Sequence, residues 1–211
     1  MNPYAASRVA LKPTNMTQFG DQLTDEQILA IFDWIDSQEL PVETAVAGGG
    51  AAIGGPFELV DHKARSVTEK DVIVEPSLIY FGYTFCPDVC PFDTVRNAEA
   101  IDLLAEQGIS ATPVFISIDP ERDTPEALDL YVENIHPKMV GLTGTDEQVK
   151  AASKAYRTYY KRHNDDPEYY IVDHSTQTYL MLPEHGFVEF FNRNVSAEQI
   201  AETAACFIKN S

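Results

Sequence analysis

Two short apolar runs, each followed by a segment with helical spacing, constrain the fold of this 211-residue chain more than any other feature. Residues 77–81 (SLIYF) and 114–118 (VFISI) are rich in β-branched and aromatic side chains and carry no charge. Such runs are typical of strands that are buried on both faces of a sheet, with helices covering those faces. The sequence therefore predicts an α/β fold built around these two strands.

The other segments fit the same architecture. Apolar spacing and helix-capping residues predict strands at 57–60, 139–142, 169–173, 178–182 and 187–191, and helices at about 90–107, from 123 onward, at 145–159 and from 196 onward. We expect the strands at 169–173 and 178–182 to pair with each other. Strand, helix, strand and helix, followed by a hairpin and a last helix, is the order of a thioredoxin-like fold, in which helices flank a central mixed sheet.

The N-terminal part of the chain differs from the rest in composition. Residues 1–46 form an extension with one predicted amphipathic helix, which begins at a capping box. Residues 47–55 are rich in glycine and alanine, as flexible linkers are. We therefore expect the thioredoxin-like domain to occupy residues 56–211. The sequence contains neither a run of about eighteen apolar residues nor a signal-peptide pattern, so it predicts no membrane span.

The charge balance excludes one class of partner. Aspartate and glutamate outnumber lysine and arginine by 33 to 15, which gives a formal net charge of −18 at pH 7. A surface that binds nucleic acid needs a basic face to meet the phosphates. The chain is therefore predicted to bind no nucleic acid, and its acidic surface suits basic partners instead.

The side chains with the most distinctive chemistry are Cys86 and Cys90, directly after the first apolar strand and at the start of the helix predicted at 90–107. The unpaired N–H groups and the dipole at a helix start favour a thiolate there. If the turn between them is helical, positions i and i+4 share one face, so both sulfurs can point into one site. The C-x-x-x-C spacing is compatible with redox exchange, with metal binding and with a structural disulfide.

A metal site would need further ligands. Structural zinc takes four nitrogen or sulfur ligands, and the sequence has no second cysteine pair. Two sulfurs with one imidazole suit copper, which accepts soft thiolate ligands as Cu(I). The third cysteine, Cys206, is interpreted as a small buried residue of the terminal helix, because its neighbours have helical apolar spacing.

One of the five histidines is a candidate third ligand. His174 ends the apolar strand at 169–173 and opens a turn that borders the cysteine loop in a thioredoxin-like layout, so it is either a ligand or an ordinary turn histidine. Asp173 either orients its ring through a hydrogen bond or simply ends the strand. The other histidines are interpreted as solvent-exposed or helix-capping: His62, His136, His163 and His185.

From about residue 54 to its end, the chain carries several separate motifs in a fixed order. Together they resemble the Sco/SenC family of copper-binding proteins, which serve in cytochrome c oxidase assembly. The motifs are GGPF at 54–57, YFGYTFCPDVCP at 80–91, FISIDPERDTP at 115–125, VGLTG at 140–144 and VDHS at 172–175. The resemblance implies that Cys86, Cys90 and His174 bind one Cu(I) or Cu(II). It also implies that this copper passes to the CuA domain of cytochrome c oxidase subunit II.

The resemblance further implies accessory residues and a location. Asp119 and Asp123, in the acidic loop DPERD, are candidates for metal handling or partner contact, and Asp173 is a third accessory candidate; alternatively, Asp123 is an ordinary helix cap. Family members are normally held by an N-terminal anchor on the periplasmic side of the bacterial inner membrane or in the mitochondrial intermembrane space. Other expected partners are periplasmic copper chaperones and thioredoxin-like reductants.

Two functions from different classes are compatible with these residues. In the first, the chain is a copper metallochaperone. In the second, it is a thiol–disulfide oxidoreductase that uses the same cysteine pair to reduce the CuA-site cysteines of the acceptor, without an obligatory metal. A peroxide-reducing enzyme of related fold is a third alternative, but no peroxide pocket is identifiable from the sequence. The distant histidine discriminates between the first two, because an oxidoreductase needs only the cysteines.

Overall fold

A computed structural model describes residues 53–163 and 170–211. The predicted N-terminal helix and the linker up to residue 52 lie outside the described residues. The elements follow one another as β1 (Glu58–Asp61), β2 (Ser66–Thr68), α1 (Glu69–Val72), β3 (Ser77–Gly82), α2 (Val89–Glu106), β4 (Thr112–Ser117), α3 (Pro125–Ile135), β5 (Val140–Thr143), α4 (Asp146–Ala155), β6 (Tyr160–Arg162), β7 (Val172–His174), β8 (Thr178–Leu182), β9 (Gly186–Phe191) and α5 (Ala197–Lys209).

The main sheet has seven strands in the order β2-β1-β5-β4-β3-β8-β9. β3 is parallel to β4, and β4 is parallel to β5, whereas the outer pairs are antiparallel. The pairing of β3 with β4 sets Gly82 opposite Ser117, so the loops that follow these two strands leave the sheet at the same edge. The predicted thioredoxin-like fold with a central mixed sheet is confirmed.

Helices cover both faces of this sheet, as the apolar runs predict. Neighbouring residues of β3 point to opposite faces, because strand side chains alternate. Leu78 belongs to a buried cluster that contains Ile101 of α2 and Ile200 of α5. Ile79 belongs to a second buried cluster, which contains Val149 of α4. All six residues of β3 are buried, which explains why its sequence shows no polar alternation.

Polar side chains begin three of the helices. Thr145 and Ser196 form the predicted capping boxes of α4 and α5, and each accepts a hydrogen bond from the N–H three residues later. The N-cap of α3 is Thr124, which accepts from Ala127 N. The interpretation of Asp123 as the helix cap is therefore wrong, because its carboxylate turns inward and is fully buried.

The largest departure from the predicted strands concerns residues 169–173. The strand β7 begins only at Val172 and pairs with β6 in a separate two-stranded sheet. β8 pairs instead with β3 and β9, so the expected pairing of 169–173 with 178–182 is wrong. All five residues of β8 are buried, and this strand therefore takes the central place beside β3. Helix α4 also ends earlier than predicted, since Arg157 takes a positive φ of 55°.

Every helix in residues 53–163 and 170–211 is too short or too polar to cross a lipid bilayer.

Candidate metal centre

The two cysteines lie in the loop between β3 and α2 and in the first turn of α2. Cys86 is in the loop, and Cys90 is the second residue of the helix. Pro91 is tolerated there because the first N–H groups of a helix have no intrahelical acceptor. Both cysteines are buried free thiols, and the Cys90 N–H donates to Cys86 Sγ over 3.5 Å. Cys86 precedes the N-cap Asp88, so the predicted i, i+4 geometry of one helix face does not apply, and the loop instead turns back to bring Cys86 Sγ to the Cys90 N–H.

His174 joins these sulfurs from the last position of β7. Its Nε2 lies 3.2 Å from Cys90 Sγ, across 84 residues of sequence. Its Nδ1 lies 2.8 Å from the carbonyl oxygen of Ser175 and therefore donates to it, because a carbonyl only accepts. This bond leaves Nε2 with a free lone pair that faces the sulfurs. The donor atoms of Cys86, Cys90 and His174 all lie within 4.8 Å of one another.

Two tyrosines that the sequence analysis did not single out hold the imidazole in place. Tyr80 and Tyr83 meet the His174 ring edge-on, with centroid distances of 6.2 and 5.9 Å. The Tyr83 hydroxyl also accepts from the N–H of Val172, two residues before the histidine. Both tyrosines lie in or next to β3, so the strand that leads into the cysteine loop also contacts the histidine side of the site.

The two thiols differ in acidity. A hydrogen bond from the Cys90 thiol lowers the pKa of Cys86 to about 4, with smaller contributions from the N–H groups of Cys90 and Asp88, against the opposing effect of burial. The neighbouring Cys86 sulfur and burial raise the pKa of Cys90. At neutral pH the pair therefore holds one proton, with the thiolate on Cys86.

A buried carboxylate lies behind Cys90. The Tyr80 hydroxyl donates to Asp93 over 3.1 Å and lies 4.0 Å from Cys90 Sγ. Burial, Cys90 and Asp93 raise the pKa of Tyr80, which therefore stays a neutral phenol. Asp93 is compensated by Arg96 at 3.4 Å and Arg193 at 3.2 Å. No sequence signal identified Asp93, because its burial depends on an arginine 100 residues away in the chain.

The accessory aspartates do not reach the three ligands. Asp119 and Asp123 are fully buried and accept hydrogen bonds from protein groups. Asp173 does not orient the imidazole of His174; its Oδ2 lies 2.6 Å from His163 Nε2 instead. Neighbouring strand residues point to opposite faces, so the side chain of Asp173 leaves β7 on the side away from His174.

The remaining cysteine and histidines lie elsewhere. Cys206 is exposed, so its interpretation as a buried residue of the last helix is wrong. His185 is exposed, as predicted. His136 is buried, and its Nε2 lies 3.2 Å from Asp102 rather than capping helix carbonyls. His62 accepts from the Gly141 N–H. Among the described residues, only Cys86, Cys90 and His174 form a cluster of three potential metal ligands.

The surroundings of the site also include exposed aromatic side chains. Phe85 directly precedes Cys86 and is 63% exposed, and Phe92, two residues after Cys90, is 71% exposed. Exposed apolar side chains therefore lie within two residues of each buried cysteine in the chain.

Comparisons with known proteins agree with this geometry. The SCO1/SenC family model matches residues 45–209. Protein SenC of Rhodobacter capsulatus is 54% identical over 158 residues, which cover 75% of this chain and 72% of that protein. The mitochondrial SCO1 homolog 1 of Arabidopsis thaliana is 41% identical over 169 residues, and the match spans 80% of this chain but only 51% of that protein.

A solved structure shows the same fold with a metal. The crystal structure of Arabidopsis thaliana ScoI with copper bound aligns with a TM-score of 0.73 and 42% identity, over 76% of this chain and all of that one. The fold, the three converging donors and the match over residues 45–209 lead to one conclusion. The chain belongs to the SCO1/SenC family.

Proposed function

We propose that this chain binds one copper ion through Cys86, Cys90 and His174 and delivers it during the assembly of cytochrome c oxidase. The convergence of two sulfurs and one imidazole nitrogen within 4.8 Å is the observation that carries the proposal. Two thiolates and an imidazole suit copper, whereas structural zinc requires a fourth ligand. The copper-bound relative of 42% identity supports the same choice of metal.

The protonation states of Cys86 and His174 suit metal binding. Cys86 is already a thiolate at neutral pH, and the Nδ1 bond of His174 leaves Nε2 free. Binding of Cu(I) therefore displaces only the one proton that remains on the pair, and both sulfurs then carry negative charge toward the metal.

We further propose that the acceptor is the CuA domain of subunit II, on the periplasmic side of the inner membrane or in the mitochondrial intermembrane space. The exposed Phe85 and Phe92 lie next to the two cysteines in the chain and offer apolar surface that a partner protein can cover. A thiolate of the acceptor would enter there and replace the ligands of this chain one at a time.

The same thiols support a second function, reduction of an acceptor disulfide. The Cys86 thiolate attacks one acceptor sulfur, which forms a mixed disulfide and releases the first acceptor thiolate. Cys90 then gives its proton to solvent and attacks Cys86 Sγ, which releases the second acceptor thiolate. Two electrons pass to the acceptor, and Cys86 and Cys90 end as a disulfide. The low pKa of Cys86 is the observation that favours this activity.

Anaerobic copper titration of the reduced protein tests the proposal. We expect saturation at one Cu(I) per chain in competition with a chelator. Loss of a group that hydrogen-bonds to a metal ligand typically lowers metal affinity about 10–100-fold, and loss of the ligand itself should have a larger effect. His174→Ala should therefore weaken copper binding by more than about a hundredfold. His185→Ala, at an exposed histidine, is the matched control. Equal affinities of His174→Ala and His185→Ala would contradict the metal site, whereas disulfide exchange should survive His174→Ala.

Gly82 offers an independent test of the sulfur geometry. A Cβ at this position would lie 2.9 Å from Cys90 Sγ and 2.9 Å from Tyr80 Cε1. Gly82→Ala is therefore expected to lower the free energy of unfolding by about 1–3 kcal/mol and to accelerate copper release, because the sulfur must move. Urea unfolding and chelator-driven release measure the two effects.

Gly141→Ala is the control for that variant. Its Cβ would come within 2.9 Å of Val132 Cγ1 and 3.4 Å of Leu128 Cβ, and neither residue is a ligand, so it should lower stability without changing copper release. If both glycine variants release copper at the wild-type rate, Gly82 does not set the position of Cys90.

A further inference from the structure

We propose that the aspartate loop (residues 119–123) positions the two halves of the metal centre, with Asp119 holding the histidine half and Asp123 holding the cysteine half. The inference rests on the proposed copper site and assigns both aspartates an indirect role. Neither belongs to the cluster of donor atoms, and both carboxylates are occupied by protein hydrogen-bond donors.

The topology explains why such a connection is needed. His174 lies on β7, and among the described residues β7 pairs with β6 alone, in a sheet separate from the seven-stranded one. In the main sheet, the pairing nearest to His174 in the chain is that of Thr178 with Tyr80 of β3, four residues after the histidine. Side-chain contacts complete the placement of the histidine hairpin, and the aspartate loop leaves the main sheet beside the cysteine loop.

Asp123 makes the contacts on the cysteine side. It accepts from the N–H of Thr84 at 3.0 Å, from the Thr84 hydroxyl at 2.5 Å and from the Ser117 hydroxyl at 2.6 Å. Thr84 is two residues before Cys86, and Ser117 is the last residue of β4. The carboxylate therefore ties the cysteine loop to a central strand of the sheet.

Asp119 makes the contacts on the histidine side. It accepts from the Tyr170 hydroxyl at 2.7 Å, from Arg162 Nη2 at 3.1 Å and from Arg122 Nε at 2.5 Å. Arg162 is on β6, and Tyr170 comes two residues before β7. The carboxylate thus holds β6 and the segment that leads into β7, the strand that carries His174.

The loop itself links these two sets of contacts. The Asp119 carbonyl accepts from the N–H groups of Arg122 and Asp123, at 3.2 and 2.9 Å, so the backbone between the aspartates forms a closed turn. The Arg122 guanidinium lies over the Tyr170 ring at 3.7 Å and over the Phe85 ring at 4.9 Å. Arg122 therefore contacts the residue next to Cys86 as well as the histidine hairpin.

The charges around Asp119 are balanced without the metal. Arg122 and Arg162 face its carboxylate, and Arg162 also pairs with Glu121 at 2.5 Å. This balance means that the network persists when copper leaves, so the site stays preformed for the next ion.

Tyr170→Phe tests the histidine half by removing one hydroxyl while keeping the ring under Arg122. We expect chelator-driven copper release to become about tenfold faster, the low end of the 10–100-fold typical when a group that orients a metal ligand is lost. The nitrogen hyperfine signal of the Cu(II) form should shift toward that of His174→Ala. In a His174→Ala background, Tyr170→Phe should have no further effect, because it acts through the histidine.

Thr84→Val tests the cysteine half, because it removes the hydroxyl that donates to Asp123 and keeps the side-chain shape. We expect faster copper release and a changed alkylation rate of Cys86, with an unchanged nitrogen signal. Unlike Tyr170→Phe, this variant should keep its effect in the His174→Ala background. Folded Asp119→Asn protein should behave as Tyr170→Phe does, and folded Asp123→Asn protein as Thr84→Val does.

Asp61→Asn is the matched control. Asp61 is a buried aspartate at the end of β1, next to the edge strand β2, and it accepts from Arg65 and from the Lys63 N–H. The substitution should lower stability without changing copper release or the spectrum. Failure of the wild-type protein to bind copper would refute the proposed function itself. If the wild-type protein binds copper but Tyr170→Phe and Thr84→Val release it at the wild-type rate, the aspartate loop does not position the site. An equal effect of Tyr170→Phe in the wild-type and His174→Ala backgrounds would also refute its role.

Discussion

Replacing Cys90 with alanine is expected to raise the pKa of Cys86 from about 4 by roughly two units or more, toward the value of about 8.5 for a free cysteine. The hydrogen bond from the Cys90 thiol is the largest cause of the low pKa, and this substitution removes it. The N–H groups of residues 88 and 90 stay in place, so part of the shift should remain. The same variant loses one of two sulfur ligands and should no longer retain copper.

The pH dependence of Cys86 alkylation measures this change. The thiolate is the reactive form, so in the intact pair the rate should be flat at neutral pH and fall only as the pH drops through about 4. In Cys90→Ala the fall should begin at higher pH. Both proteins must carry Cys206→Ala, because Cys206 is exposed and would react as well.

The midpoint of the profile is the informative quantity, because a thiolate of higher pKa is also intrinsically more nucleophilic and partly compensates in the rate. An unchanged midpoint in Cys90→Ala would show that the helix start, and not the second thiol, sets the acidity of Cys86. Copper retention by Cys90→Ala at one ion per chain would contradict the assignment of Cys90 as a ligand.

Oxidation of the pair to a Cys86–Cys90 disulfide is expected to abolish copper binding. The three donor atoms lie within 4.8 Å of one another, so a disulfide between the cysteines can form by movement within one loop and one helical turn. Its formation takes two electrons from the pair and one proton from Cys90. His174 alone would then remain, and one imidazole does not make a copper site of comparable affinity. Redox state would therefore decide whether the chain carries its metal.

Oxidised glutathione is a suitable oxidant for this test. The apoprotein with Cys206→Ala is oxidised, desalted and then exposed to Cu(I), and bound copper is counted after a second desalting step. We expect less than a tenth of the reduced protein's copper, with full recovery after treatment with a reductant. Retention of one copper per oxidised chain would show that the cysteines are not the main ligands.

The central fold was predictable because its signals are local. The runs at 77–81 and 114–118 became β3 and β4, since only strands covered on both faces accept such uninterrupted apolar sequence. The capping boxes at Thr145 and Ser196 marked helix starts correctly, because a cap involves residues only three positions apart.

The partners of the later strands were not predictable in the same way. Periodicity identified residues 178–182 as a strand but could not show that its neighbour would be β3 rather than residues 169–173. The choice depends on which strand edge is free and which segment is apolar enough to occupy the centre. The burial of Asp93 and Asp123 was not predicted for a related reason. A buried carboxylate needs hydrogen-bond or charge partners, and some of these, Arg193 for Asp93 and Thr84 for Asp123, are distant in the chain.

The sequence by itself determined the chemistry of the cysteine half of the site. Two thiols four positions apart around the start of a helix favour a thiolate and lie close together in a compact turn, and neither property requires information from the rest of the chain. Only the tertiary structure decided that His174 Nε2 meets Cys90 Sγ at 3.2 Å. A hairpin outside the main sheet carries the histidine, and its position depends on contacts of Tyr83, Tyr170 and Arg162 with other parts of the fold. Residue types and short spacings are properties of the sequence, whereas the meeting of groups 84 residues apart depends on packing of the whole domain.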